Sequence, residues 1–170
     1  MKREEALQLL QRVGCSGAVI KHSLTVERKA VEIAKRIKSK GHRVSLRLVS
    51  LGALLHDIGR AKTHGIRHGV EGAKILRRFG LARFAGFAER HLGAGIPAEE
   101  AKELGLPKRD FIPKTLEEKI VTYADKLVEG NKFISYREAR KQLSLKLGSR
   151  HPALARFRSL HQEIRDLMKE

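Results

Sequence analysis

Between Leu46 and Leu55 the chain reads LRLVSLGALL, a helix-forming stretch that is apolar on most of its circumference. Such a helix has almost no face to offer water, so other elements must surround it. The rest of the sequence supplies helices for that purpose. Apolar residues recur at helical spacing nearly everywhere, and no segment alternates convincingly enough to be a strand. The expected fold class is therefore all-α, a compact helical bundle with short connecting loops.

The boundaries follow from local chemistry. A first helix covers about residues 3–13 and ends at Gly14, and a second covers about 21–40. The second carries Val26, Ala30, Ile33 and Ile37 on one stripe, and Gly41 stops it. Ser45 caps the central helix, which Gly59 closes. Further helices are expected over 70–79 and 82–91, then a Gly-rich turn at 93–95 and a short helix from Pro97 to Leu104. Thr115 and Glu118 have capping-box spacing ahead of a helix with Leu116, Ile120, Val121, Ala124 and Val128. Helices over about 135–146 and 152–169 finish the chain. A single domain over 1–170 is expected, because domains usually span about 100–200 residues and no low-complexity linker interrupts the pattern.

Composition limits the function classes. Apolar residues make up 41% of the 170, enough to fill a core. Cys15 is the single cysteine, which excludes an intramolecular disulfide and any Cys-based zinc site, and it reads as an inert, half-buried thiol. No stretch approaches a membrane span, and the N-terminus lacks a signal peptide's apolar run. A soluble, cytoplasmic protein with no membrane contact is expected. One Asn and four Gln beside abundant Arg, Lys and Glu point to a thermophilic source. No Trp and two Tyr leave no stacking platform for single-stranded bases.

The net charge is +17, from 36 Lys and Arg against 19 Asp and Glu. It favours anionic partners such as nucleotides or nucleic acid. The excess is uneven: +8 over residues 1–50, +3 over 51–130 and +6 over 131–170. The acid-richer middle also holds four of the eight histidines, and chemistry is expected there.

His56 and Asp57 end the most apolar helix. Burying a carboxylate in that position is costly unless it is paired or binds a metal. His22 lies on the inward stripe of the second helix with Val26. Asp125 repeats the pattern among Val121, Ala124 and Val128. Two imidazoles and two carboxylates make a mixed N/O set, suited to Mn²⁺, Fe, Co²⁺, Ni²⁺, Zn²⁺ or Mg²⁺ rather than a thiolate metal. Each residue also has a plainer reading: a helix cap for His56, a surface carboxylate for Asp57, a satisfied core histidine for His22, an Arg partner for Asp125. His42, His151 and His161 read most simply as solvent residues.

His22, then His56-Asp57-Ile58-Gly59, then Asp125 within Tyr-Ala-Asp-Lys-Leu together resemble the HD-domain metal-dependent phosphohydrolases of the HDIG kind. The likeness covers about residues 18–130 and leaves 131–170 as a C-terminal helical extension. It implies that His22, His56, Asp57 and Asp125 coordinate one metal. In the two-metal branch a His opens a Gly-Ala-marked helix about a dozen residues on, and another follows the next helix. His68, in His-Gly-Val-Glu-Gly-Ala, and His91 fit those places, and with Asp57 bridging they would hold a second ion. One or two divalent ions per chain are thus expected: Mn, Fe, Ni, Co or Zn, with Mg possible.

That branch includes enzymes acting on cyclic dinucleotides and diadenosine tetraphosphate. Cyclic-di-GMP phosphodiesterases carry His-His and Gly-Tyr-Pro; here Leu92 follows His91 and the other sequence is Gly95-Ile96-Pro97, which argues against that substrate. The usual Lys after HDIG is Arg60, a planar fork suited to phosphate oxygens. The resemblance implies hydrolysis of a nucleotide or RNA-derived phosphoester or phosphoanhydride by metal-activated water. Asp57, Arg60 and Lys126 are the expected catalytic residues, with Lys62 as a further phosphate contact. His64 would orient a ligand or protonate a leaving group. A different class is also open: a basic RNA-binding or RNA-processing accessory protein with a structural metal centre. The basic ends would contact nucleic acid, and a monomer or homodimer is expected.

Overall fold

A computed structural model of the chain describes residues 1–169. It is an all-α assembly: α1 (Arg3–Arg12), α2 (Gly17–Ser39), α3 (Leu46–Leu55), α4 (His68–Arg78), α5 (Ala85–Glu89), α6 (Ala98–Glu103), α7 (Leu116–Lys126), α8 (Tyr136–Leu147) and α9 (Pro152–Leu167). Short 3-10 turns at Ile58–Ala61, Ala82–Phe84 and Leu92–Ala94 join some of them. The N-caps are those the sequence offers. Ser16, Ser45, Thr115 and Ser135 accept from the backbone N–H of Val19, Leu48, Glu118 and Glu138.

As its composition demands, α3 is central. Leu51 to Leu55 are all buried, and the helix packs on α1, α2, α5 and α7. The main core extends from α1 to Phe157, Leu160 and Ile164 of α9. A smaller cluster of Val70, Ile96, Ala101, Leu106 and Phe111 lies beneath α6.

Several local expectations need correction. Helix α2 begins at Gly17 rather than near Lys21, because Ser16 supplies an N-cap one residue earlier. The 82–91 segment is a 3-10 turn followed by the short α5. The Thr115–Glu118 box is half-formed: the Glu118 carboxylate takes Arg90 Nη1 at 2.7 Å and the Lys114 N–H at 2.8 Å instead. A small antiparallel ladder, β1 (Val128–Glu129) with β2 (Lys132–Phe133), turns at Gly130 with φ 59°. Two residues per strand are too few to write an alternating pattern.

Two histidines read as solvent residues are engaged. His161 is half-buried, stacked on Tyr136 at 3.6 Å and accepting the Tyr123 hydroxyl at 2.6 Å. His151 caps α9 by accepting the Ala153 N–H. Cys15 is buried more fully than expected; its thiol donates to the Ile58 carbonyl, and burial, with Asp57 nearby, pushes its pKa up to about 11.

Gly59 has a steric reason. A Cβ there would stand 1.8 Å from the His68 carbonyl oxygen and 2.5 Å from the Gly72 nitrogen. The turn after His56-Asp57 therefore lies directly on the first turn of α4, and that approach brings His68 to Asp57.

Candidate metal centre

Four imidazoles and two carboxylates converge where α2, the end of α3, the start of α4, the end of α5 and the end of α7 meet. His56 is fully buried and Asp57 is 3% exposed. His22 Nε2 lies 3.0 Å from Asp125 Oδ1, and His56 Nε2 lies 3.4 Å from the same oxygen. Both nitrogens also face Asp57 Oδ2, at 3.9 and 3.8 Å. The other Asp57 oxygen, Oδ1, has His68 Nε2 at 3.1 Å and His91 Nε2 at 3.4 Å. Thus Asp57 stands between a His22/His56/Asp125 group and a His68/His91 group.

The opposite ring nitrogens decide the chemistry. Each Nδ1 bonds a backbone carbonyl: His22 to Gly130 at 2.7 Å, His56 to Ala53 at 2.6 Å, His68 to Gly65 at 2.8 Å and His91 to Ala88 at 2.7 Å. A carbonyl can only accept, so each Nδ1 is a donor and each ring turns Nε2, the nitrogen left to bind a metal, inward. His68 and His91 bring their Nε2 atoms within 3.2 Å of each other. Four such nitrogens gathered around two carboxylates make a donor set that a divalent cation would fill. His56 Nε2 and Asp57 Oδ1 are moreover buried without a hydrogen-bond partner. Ligand atoms of His22, His56 and Asp125, and of His56, Asp57 and His91, lie within 4.8 Å of one another in each set. Such N/O sets fit a divalent metal, with the carbonyls fixing the ligating tautomer.

The electrostatics agree. Burial works to raise the Asp57 carboxyl, but His56, His68 and His91 together hold it well below the usual range. Burial works to raise Asp125 as well, but Lys126, with the contacts from His22 and His56, holds it well below the usual range. Burial pushes His91 down to about 4, so it is neutral at pH 7 and its lone pair is free. His56 moves the other way: burial lowers it, but Asp57 and Asp125 raise it more.

Two of the three expected phosphate contacts are already engaged with the carboxylates. Arg60 Nε donates to Asp57 Oδ2 at 2.6 Å, and Lys126 Nζ to Asp125 Oδ2. Both side chains also line an open cavity of about 910 Å³ that reaches His22, Asp57 and Asp125. His64 lines it as well, whereas Lys62 is exposed and does not. The far wall was not foreseen in the sequence. It comes from α8 and the α8–α9 turn, through Gln142, Leu143, Lys146 and His151. The Gly130, Ala53, Gly65 and Ala88 carbonyls were missed too, since a backbone oxygen has no residue signature.

The HD domain family model matches residues 19–130. An uncharacterised protein of Methanocaldococcus jannaschii is 50% identical over 99% of this chain and its own full length. A tRNA (cytidine(56)-2′-O)-methyltransferase of Picrophilus torridus is 40% identical over 95% of this chain but only 46% of its own length. Its counterpart in Thermoplasma volcanium is 47% identical over 74% of this chain and 36% of its own length. This chain thus spans less than half of either methyltransferase. Among solved structures, the HD domain of the L. monocytogenes phosphodiesterase PgpH superposes with a TM-score of 0.60 at 19% identity, covering 94% of both chains. Its complex with cyclic-di-AMP gives 0.58 at 18%. The matched region contains all six converging side chains, and the chain belongs to the HD domain family.

Proposed function

We propose that this chain is a metal-dependent phosphohydrolase acting on a nucleotide or RNA-derived phosphoester. The observation that carries the reading is the set of four inward Nε2 atoms around two carboxylates at one end of an open cavity. His22, His56, Asp57 and Asp125 would hold one divalent ion, and His68 and His91, with Asp57 shared, a second. When bound, such ions lower the pKa of water toward neutrality and offset phosphoryl charge.

The remaining work falls to the chain. Asp57 and Asp125 stay ionised at neutral pH because the basic groups around them outweigh burial. Arg60 keeps its guanidinium in place through Nε, with Nη1 3.5 Å from the His64 carbonyl, leaving Nη2 for non-bridging phosphate oxygens. Lys126, beside Asp125, offers a second positive charge. His64, on the exposed loop before α4, is placed to hydrogen-bond a ligand or protonate a leaving group. The RNA part of the reading draws on the similar methyltransferases, which are named for an activity on tRNA.

The test is metal counting followed by turnover. Purified protein is expected to carry one or two transition-metal ions per chain and to hydrolyse bis(p-nitrophenyl) phosphate with Mn²⁺, Ni²⁺ or Co²⁺. In His56→Ala and Asp57→Ala, metal content and rate should collapse, the rate by at least about 1,000-fold, while helical circular dichroism persists. Wild-type protein inert with every metal against nucleotides and RNA would sink the proposal. Steeply salt-dependent RNA binding that survives both substitutions, without hydrolysis, would favour the accessory-protein reading.

A further inference from the structure

Helix α8 has two faces with different chemistry. Ala139, Gln142, Leu143 and Lys146, at helical spacing, line the cavity that holds the metal-binding side chains. Arg137, Arg140 and Lys141 recur at the same spacing on the other side, and all three are exposed. Among the described residues none of these three makes an ion pair. By contrast Arg3, Arg77, Arg90, Arg109, Lys119 and Arg156 each hold a carboxylate. The one acid on α8, Glu138, is committed to the Ser135 capping box.

Like charges three and four residues apart weaken a helix. The ridge therefore does not serve the stability of α8, and a polyanion lying along it would relieve the repulsion. Lys146, at the cavity rim, and Arg150, just beyond the helix, continue the positive charge around its end. A helix with side chains is only about 10–12 Å across, so a strand leaving the cavity reaches the outer face within a few nucleotides. With no aromatic side chain on that face, contact there is to phosphates and is independent of base sequence.

We infer that α8 is an RNA-docking helix: its inner face walls the nucleotide cavity, and its outer Arg137–Arg140–Lys141 ridge holds the phosphate backbone of the RNA whose terminus enters that cavity. The inference rests on the RNA-phosphoester reading above, and it adds the element that selects a chain over a free nucleotide. Two exposed apolar side chains nearby, Leu145 and Leu147, are too few for a membrane surface.

The experiment measures fluorescence anisotropy of a labelled ten-residue oligoribonucleotide across a salt series, with a mononucleotide as competitor. Wild-type protein should bind the ten-mer at least tenfold more tightly than the mononucleotide. In Arg137→Ala/Arg140→Ala/Lys141→Ala that advantage should vanish, and the slope of log K against log salt should fall in magnitude by about 2, as losing three single-strand phosphate contacts requires. Mononucleotide affinity and bis(p-nitrophenyl) phosphate hydrolysis should be unchanged. A control, Lys35→Ala/Arg36→Ala/Lys38→Ala on exposed positions of α2, removes the same charge elsewhere and should leave the ten-mer advantage intact. Unaltered slope in the α8 variant, equal loss in the α2 control, or equally tight binding of a poly-glutamate of matched charge would each overturn the inference. Absent bis(p-nitrophenyl) phosphate hydrolysis in wild type would instead overturn the metal reading alone.

Discussion

The metal centre and helix α8 face the same cavity but are built in opposite ways. At the centre, His56, Asp57, His68 and His91 are all buried, the histidine rings tied to main-chain oxygens, with α5 packed on α3 and α4 on α5 and the turn that follows α3. On α8 only Ala139 is buried. Its outer charges have no ion-pair partner among the described residues, and the α8–α9 pair is anchored largely by Tyr136, Phe157 and His161 against Tyr123. The contrast separates two demands on an enzyme. Chemistry needs groups fixed to within a fraction of an ångström, which takes buried, over-determined packing. Selecting a flexible anionic chain needs charge at a surface, where packing is dispensable.

Three further substitutions probe that division, beginning with the largest expected effect. Gly59→Ala puts a methyl group into the His68 carbonyl, a backbone atom that cannot rotate aside. It should cost about 3 kcal/mol, the upper end for overpacking, and displace His68, so thermal melting and metal stoichiometry should both drop. A variant with wild-type melting and full metal content would show the centre to be looser than its packing implies.

Glu89 tests the surroundings of the centre. It is buried two residues before His91 and takes Arg109 Nη2 at 3.0 Å and Arg77 Nη2 at 3.1 Å. Because both arginines are nearly half exposed, Glu89→Gln should destabilise by only about 1–2 kcal/mol. Burial works to raise this carboxyl, but Arg109 and Arg77 hold it below its ordinary 4.5. The sign follows. A depressed folded-state pKa gives stability that is present above 4.5 and lost as pH falls through the lowered value. The gap between wild type and variant in chemical denaturation should thus be constant near neutrality and close in acid. A gap that widened below pH 4 would contradict the ion-pair account.

The smallest effect belongs to the arm. His161→Ala removes the stack on Tyr136 and the bond from Tyr123, at a half-exposed position. About 1 kcal/mol of stability should go, with metal content and bis(p-nitrophenyl) phosphate turnover unchanged. If metal content fell with it, the arm would be part of the centre and the division would fail.

The sequence disclosed these two regions unequally. His22, His56, Asp57 and Asp125 stood out because polar groups on apolar helical stripes are expensive unless something pays for them, and the HDIG order placed His68 and His91 beside them. The helical architecture was readable for a similar reason: α3 is too apolar to lie anywhere but the middle. What stayed hidden depends on remote approach. The wall formed by Gln142 and Leu143 exists only because α8 returns across the mouth of the centre. His161 looked exposed because Tyr123 lies 38 positions away. Glu118 looked like a capping partner until Arg90, just beyond α5, claimed its carboxylate. Local rules describe what a side chain offers, and distant segments decide who accepts it.

The carbonyl partners of the imidazoles also bear on the order of assembly. His56, His68 and His91 each bond the oxygen three residues earlier, at Ala53, Gly65 and Ala88. Those contacts close as soon as each turn of backbone forms. His22 instead takes the Gly130 oxygen, 108 residues away and in the hairpin that leads to α8. Chain-closure entropy makes that contact the most demanding of the four to establish. Three ligands are therefore oriented by their own neighbourhoods, and the fourth is set only when the two ends of the family core meet. The His22–Gly130 contact is the clasp that completes the ligand set, and the hairpin that forms it is also the stem of α8.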